Sequence, residues 1–271
     1  MDGKVVLVTG ATDGLGKAVA GAALDAGATV LVHGRSEQRI ADTLGELGQI
    51  AGPARLRSYR ADLASLADVR LLAEDVKANE QRLDVLVNNA GIGGRVPGGG
   101  VRMESENGYE LRFAVNYLAG YLLTRRLLDL LRASAPARIV NVSSAGQTAI
   151  DFDDVMLERG YDHMAAYMQS KLAQVLFTFD LAEELAGSGV TATCLHPATF
   201  MPTKIVSASP ISTLEEGAEA TMRLVADPAL EGVTGRYFNG QRETRADDQA
   251  YDPDARRRLR ELSERLVAVA G

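Results

Sequence analysis

Val5-Val6-Leu7-Val8-Thr9-Gly10-Ala11-Thr12-Asp13-Gly14-Leu15-Gly16 carries the chain out of a wholly apolar run, through three glycines, into an amphipathic stretch. A run apolar on both faces suits a strand buried in a parallel sheet. Gly10, Gly14 and Gly16 allow a tight turn and a close approach to a pyrophosphate, whose charge the N-terminus of the next helix favours. Thr12, Asp13 and Leu15 complete this turn as candidate dinucleotide contacts. The glycine spacing differs from G-x-G-x-x-G. A plain strand-to-helix turn would use the same residues, so the reading depends on the rest of the chain.

Beyond the turn the alternation repeats. Short apolar, β-branched runs predict strands at 5–9, 29–33, 55–60, 85–88, 138–143, 190–196 and 235–238. Amphipathic stretches predict helices at 14–25, 37–48, 66–80, 106–133, 164–186, 213–226 and 253–270. Ser65 with Asp68 three residues on resembles a capping box for the third helix. No linker, repeat or low-complexity segment divides the 271 residues, and glycine-rich 93–100 reads as a loop beside a pocket. The pattern is that of one α/β domain over 1–271: a doubly wound, Rossmann-type parallel sheet of seven strands with helices on both faces. Its site is expected at the carboxyl ends of the strands.

Composition narrows the partners. A net charge of -7 argues against a nucleic-acid groove or an anionic membrane surface. Arg256-Arg257-Arg258-Leu259-Arg260 is interleaved with Asp254, Glu261 and Glu264 and reads as a solvated helix face. Cys194 stands alone in an apolar stretch, a buried core residue with no disulfide or metal role. His33 and His163 have no metal-ligand spacing. No stretch approaches the roughly 20 apolar residues of a membrane span. The first strand starts almost at Met1, so a soluble cytoplasmic protein is expected.

Three strand ends extend the nucleotide reading. Asn88-Asn89-Ala90-Gly91 offers small residues past which a ribose and adenine fit, with Asn89, Ala90 and Gly91 as contacts. Asp62-Leu63 ends the third strand, where the Asp62 carboxylate would accept from an adenine amino group; a lone Asp there also serves as a turn or cap residue. The second strand ends His33-Gly34-Arg35-Ser36, with no carboxylate before Glu37. An acidic residue at that point binds the ribose 2′-hydroxyl of NAD. Arg35 instead offers a planar fork suited to a 2′-phosphate, and Ser36 a further donor, so NADP(H) is the expected cofactor. Arg39, one turn on, is placed to assist, although exposed helix arginines are common.

The chemistry sits further along. Tyr167 and Lys171 stand four apart on a predicted helix and project from one face. A tyrosine ordinarily titrates near ~10, and a neighbouring cation is expected to lower that towards neutrality. Tyr167 would then exchange a proton with a substrate oxygen, which Ser144 at a strand end would fix. Alternation along the strand points Ser143 to the opposite side.

With these motifs together, Thr9-Gly10-x-x-x-Gly14-x-Gly16, Asn88-Asn89-Ala90-Gly91, the strand-end serine and Tyr167-x-x-x-Lys171, the chain resembles the short-chain dehydrogenases/reductases over nearly its whole length. The resemblance adds Asn116, in Phe113-Ala114-Val115-Asn116, as an asparagine that kinks its helix and holds a water contacting the lysine. It thus implies a catalytic tetrad of Asn116, Ser144, Tyr167 and Lys171. His196-Pro197-Ala198-Thr199 is similar to the family's Pro-Gly segment, with Ala198 in place of glycine and Thr203 about one residue late; Pro197, Thr199 and Thr203 are the implied coenzyme contacts. His196 itself is expected to bond backbone at its strand end.

The gap between Ser144 and Tyr167 is longer than is common in the family, through an insertion at about 146–163 that contains Asp153 and Asp154, read as an acidic surface loop. With Gly235-Arg236-Tyr237-Phe238 and the Tyr251-Asp252-Pro253 helix start, it resembles the retinol dehydrogenase-like and protochlorophyllide reductase-like branch. The anchored members of that branch carry an apolar N-terminal segment, which this sequence lacks. Ile92, Val96, Met156, Met168, Phe200 and Met201 are expected around a pocket for a lipophilic carbonyl or alcohol. The expected activity is interconversion of a ketone or aldehyde with its alcohol. A dinucleotide-sensing regulator, or a reductase of an activated C=C bond, stays open at this point. The resemblance also allows a homodimer or homotetramer formed through the helices at 106–133 and 164–186.

Overall fold

The computed structural model describes residues 1–93, 100–205 and 209–269. Val96 and most of the glycine-rich loop therefore lie outside the described residues. Within them the strands are β1 (Val5–Val8), β2 (Thr29–Gly34), β3 (Leu56–Arg60), β4 (Val85–Asn88), β5 (Ala137–Val142), β6 (Val190–His196), β7 (Arg236–Asn239) and β8 (Arg242–Glu243). The sheet has eight strands rather than the seven expected, in the order β3-β2-β1-β4-β5-β6-β7-β8. The eighth escaped the sequence pattern because it is a two-residue, exposed, antiparallel addition to β7. The other pairings are parallel. Strand order reverses between β1 and β4, which opens a crevice at their carboxyl ends.

Alternate side chains of the central strands feed two cores. Val5 and Leu7 face one with Leu86 and Ile139, beneath α3 (Leu66–Asn79), α4 (Ala119–Ala133) and α5 (His163–Glu184). Val6 and Val8 face the other with Val87 and Val140, beneath α1 (Gly14–Asp25), α2 (Glu37–Ala51) and α6 (Leu214–Ala226). Each buried aliphatic contributes about 1.5–3 kcal/mol of transfer free energy, so both faces of the strands must be covered. Cys194 is buried and free, as expected.

The last helix, α7 (Pro253–Val269), lies along α5. Leu259 and Ser263 are buried beneath it, and Ser263 Oγ meets the Tyr117 hydroxyl at 2.7 Å. The arginine run is not simply a solvated face. Arg256 pairs with Glu183 and Arg260 with Asp180, both on α5, while Arg258 stacks on Phe152 of the insertion. Asp153 in turn pairs with Arg258.

The long helix expected from 106 starts later. Residues 104 and 110 form an antiparallel bridge, and Glu110 Oε2 accepts from Phe113 N at 2.7 Å, so the carboxylate stands in as the cap. A π-helical segment, Phe113–Leu118, then leads into α4. The capping box at Ser65 is half formed: Ser65 Oγ accepts from Asp68 N, but Asp68 bonds Asp62 N instead of returning to Ser65. A full box caps α6, between Thr213 and Glu216.

Candidate active site

A cleft of about 870 Å³ runs along the carboxyl ends of the strands. Its floor is the glycine turn. Gly10 and Gly14 take φ of +66° and +47°, a region that penalises side chains. A Cβ on Gly16 would lie 2.3 Å from Gly10 O and 2.4 Å from Asn89 Nδ2, so the turn closes only with glycine there. Thr9 Oγ1 accepts from Asn89 N and Ala90 N, and Asn89 Nδ2 donates to Thr9 O, which fixes the β4 end against the turn. Ala90 and Gly91 line the cleft beside it. Thr203 lies over Gly14, its Cγ2 3.2 Å from where a Cβ would sit. The turn begins helix α1 and leaves the cleft floor bare of side chains, so these residues fit a dinucleotide pyrophosphate.

At the outer end, Arg35, Arg39, Asp62 and Leu63 line the cleft. Arg35 is largely exposed, 4.0 Å from Asp62. Asp62 Oδ1 also accepts from Ala64 N, so the turn role and the cleft position coincide in one residue. Arg39 pairs with Asp13 at 2.7 Å and reaches Thr12 O. Ser36 does not join the cleft: its Oγ accepts from Arg39 N and caps α2.

At the inner end the structure brings Ser144, Tyr167 and Lys171 together on one wall of the cleft. The Ser144 hydroxyl faces the Tyr167 phenol and favours its ionised form, and it accepts from Gly146 N at 3.1 Å. Lys171 Nζ lies 5.9 Å from the Tyr167 ring centroid, and donates to Val142 O at 2.9 Å and Gln174 Oε1 at 3.0 Å. Ser143 points away and donates to Lys171 O at 2.7 Å. Asn116 sits inside the π-helical segment, whose ladder is opened around it as the kink requires. Its Oδ1 accepts from Ile92 N at 2.7 Å, while Nδ2 donates to Ile92 O and Ser170 Oγ. A Cβ on Gly91 would lie 3.2 Å from Asn116 Oδ1 and 3.5 Å from Lys171 Nζ, so the asparagine and the amine meet around a glycine.

The electrostatics correct one expectation. The Tyr167 phenol is pushed up, not down: burial dominates, and the facing Ser144 hydroxyl offsets it only in part. The same burial holds the Lys171 amine at about 7, so at neutral pH it carries only part of a charge. A low-dielectric wall penalises phenolate and ammonium alike.

His196 bonds the Thr199 hydroxyl at 2.9 Å rather than backbone, and burial with the nearby Lys171 lowers its pKa. Pro197 and Ala198 line the cleft. Ala198 stands where the resemblance implies glycine, and two residues on Phe200 takes a left-handed φ of +49°. Ile92, Met168, Phe200 and Met201 line the inner cleft as expected, joined by Leu111, Val115 and Met164. Met156 does not; the insertion turns it inward to pack on the core.

Sequence reasoning missed the supports of these groups. His33 Nδ1 accepts from Gly10 N at 3.1 Å and its Nε2 meets Ala61 O at 3.2 Å, clamping the glycine turn to the ends of β2 and β3. Burial holds this imidazole neutral, at about 4. Ser144 O accepts from Tyr237 Oη at 3.0 Å and Gln147 Nε2 at 2.8 Å, and Gln147 Oε1 accepts from Asp247 N. Arg112, fully buried, donates to Gly93 O and to Tyr161 Oη, while Tyr161 donates to Glu110. The insertion is thereby bolted to the segment bearing Asn116.

A parallel sheet with a glycine turn at its switch point, and a Ser–Tyr–Lys wall in the same cleft, defines a nucleotide-dependent catalyst of the doubly wound class. Residues 4–211 match the profile of the short chain dehydrogenases. The chain is 38% identical to retinol dehydrogenase 14 of Homo sapiens, over 99% of this chain and 88% of that protein. It is 39% identical to retinol dehydrogenase 13 of Mus musculus, over 99% and 85%. Its fold is similar to that of a solved protein of Mycobacterium Paratuberculosis, with a TM-score of 0.80, 28% identity and coverage of 98% and 94%. A short chain dehydrogenase of Shigella flexneri solved in complex with NADP gives 0.72, 25%, 89% and 98%. The chain belongs to the short chain dehydrogenase family, in its retinol dehydrogenase-like branch.

Proposed function

We propose that the protein is an NADP(H)-dependent oxidoreductase that interconverts a ketone or aldehyde with its alcohol on an uncharged, lipophilic small molecule. The observation that carries this is the convergence of Ser144, Tyr167 and Lys171 on the wall of a cleft whose floor is the glycine turn. When bound, the coenzyme supplies or accepts a hydride. Gly10, Gly14 and Gly16 would receive its pyrophosphate, Arg35 and Arg39 its adenosine end, and Lys171, Pro197, Thr199 and Thr203 its nicotinamide half.

Ser144 orients the substrate oxygen, and Tyr167 gives or takes the proton at that atom. A phenol raised by burial is in its donating form at neutral pH, ready to protonate the carbonyl oxygen when the substrate is reduced. Lys171 replaces the proton, with Asn116 beside it across Gly91. The apolar lining from Ile92, Val115, Met164 and Met168 excludes water and offers no charged partner to a substrate. The NADP complex of the Shigella flexneri relative supports the coenzyme assignment, as do the names of the retinol dehydrogenase relatives for a lipophilic alcohol.

No helix among the described residues is long and apolar enough to cross a membrane, and a cytoplasmic location goes with this reading. Assembly as a homodimer through α4 and α5 must contend with α7, which already covers α5. Tyr167→Phe tests the proposal: turnover of a lipophilic aldehyde panel should fall by at least 10³-fold, within the 10²–10⁴ range of acid–base catalysis, with NADPH binding within about twofold of wild type. Unchanged turnover would overturn it.

A further inference from the structure

The acidic member of the glycine turn has an unexpected set of partners. Asp13 is the N-cap of α1, and its Oδ1 accepts from Gly14 N at 2.9 Å. Its Oδ2 pairs with Arg39 of α2 at 2.7 Å and with Lys204, from the loop after β6, also at 2.7 Å. The two cations therefore sit no further apart than the sum of those contacts, a spacing that one phosphate can bridge. All three side chains line the mouth of the cleft beside Arg35. Lys204 and Arg39 hold the Asp13 carboxyl below its ordinary range, so it is ionised whenever a coenzyme would bind.

The rest of this mouth is nearly balanced. Arg35 lies near Asp62. Three cations thus face two carboxylates, leaving a single net positive charge for a phosphate that brings roughly -1.5 to -2 at pH 7. Without Asp13, neither Arg39 nor Lys204 would be held by this carboxylate. With it, a 2′-phosphate must share them with a fixed carboxylate and accept a like charge a few ångströms away.

We propose that Asp13 sets the coenzyme discrimination of this chain: by claiming Arg39 and Lys204, it holds the preference for the 2′-phosphorylated dinucleotide below what the surrounding cations alone would give. This rests on the NADP(H) reading above and names Asp13, Arg39 and Lys204 as its specificity determinants. Lys204 is unforeseen by the strand-end pattern, because it approaches from a loop almost 170 residues downstream of Arg35.

The test is titration of the full chain with NADPH and with NADH, monitored by coenzyme fluorescence, at low and at moderate salt. Asp13→Asn keeps an acceptor for Gly14 N, so the α1 cap survives; Asp13→Ser keeps one too and serves if the first variant folds poorly. Either variant should tighten NADPH about tenfold, equivalent to about 1.4 kcal/mol, and NADH less than twofold. Adding salt should shrink the gain. In a Lys204→Gln background the gain from Asp13→Asn should fall to about threefold, because one claimed cation is gone.

Equal shifts for both coenzymes, or weaker NADPH binding, would overturn the role of Asp13. Arg35→Leu separates this from failure of the underlying reading. If it costs NADPH tenfold or more while Asp13→Asn changes nothing, the coenzyme reading stands and Asp13 is innocent. If Arg35→Leu leaves the NADPH to NADH ratio untouched, the NADP(H) reading falls and the role of Asp13 falls with it.

Discussion

Replacing His33 by leucine should destabilise the protein in a way that fades with acid. His33 is 3% exposed and its two ring nitrogens are both engaged. Because Nδ1 accepts from Gly10 N, the ring proton must reside on Nε2 and be donated to Ala61 O, which specifies the neutral tautomer. The leucine variant leaves a half-buried N–H and a buried C=O without this partner, at roughly 1–3 kcal/mol each, so a loss of about 3 kcal/mol is expected at pH 7. Burial lowers the imidazole from 6.5 in the unfolded chain to about 4 in the folded one. Between those values the unfolded chain binds more protons, so stability rises with pH there and is lost as pH falls from 6.5 through about 4. At 1.36 kcal/mol per unit, the wild type forfeits about 3 kcal/mol over that window. The two proteins should therefore differ by about 3 kcal/mol at pH 7 and converge near pH 4. Urea unfolding monitored by far-UV circular dichroism suits a chain with no tryptophan. The variant should also melt lower at pH 7, at roughly 2–4 °C per kcal/mol. A gap that stays constant from pH 7 to 4.5 would refute the buried, neutral clamp.

The same geometry leads to three further outcomes. Ser144→Ala should lower kcat by about 10²–10³ through loss of the oxygen-orienting donor, whereas Ser143→Ala, which loses only its bond to Lys171 O, should cost about 1 kcal/mol of stability and spare most turnover; equal kinetic effects would contradict the strand-face assignment. Since the Tyr167 phenol is raised, alcohol oxidation, which needs it to accept a proton, should climb with pH from 7 to 9; an oxidation rate already level above pH 7.5 would count against it. Truncation after Asp252 removes α7 with Leu259, Leu262 and Leu266, at about 1.5–3 kcal/mol for each side chain fully buried. The full chain should scatter light as a monomer and the truncated one should pair or aggregate; a full-length dimer built on α5 would contradict the covering role of α7.

The parts of the site legible in the sequence are those where a residue type is forced. Gly10, Gly14 and Gly16 announce themselves because no side chain fits the turn, and Tyr167 with Lys171 because helical spacing puts them on one face. The buried strands read clearly for the same reason, since β1 and β4 must satisfy both cores at once. Supports are harder to read because many residue types can perform them. Nothing adjacent in sequence says that His33 clamps Gly10, that Gln174 holds the Lys171 amine, or that Tyr237 grips the carbonyl of Ser144. A histidine among aliphatic residues at a strand end was the one available signal for the first. Ser36 misled because a hydroxyl at a strand end serves equally as a phosphate donor and as a helix cap, and here the cap took it. Tyr167 misled in sign because sequence shows the neighbouring cation but not the burial that discharges it.

The grip on Ser144 has a consequence for how the polypeptide is made. The glycine turn and its braces lie within the first 91 residues, whereas the carbonyl of the serine waits for Tyr237 and for the Gln147–Asp247 bond. On a ribosome that releases N-terminal structure first, the glycine turn can be braced while the carbonyl of Ser144 is still unheld. The scaffold of the chemistry is therefore completed across a long stretch of chain, by Tyr237 and Asp247 reaching back to the β5 end.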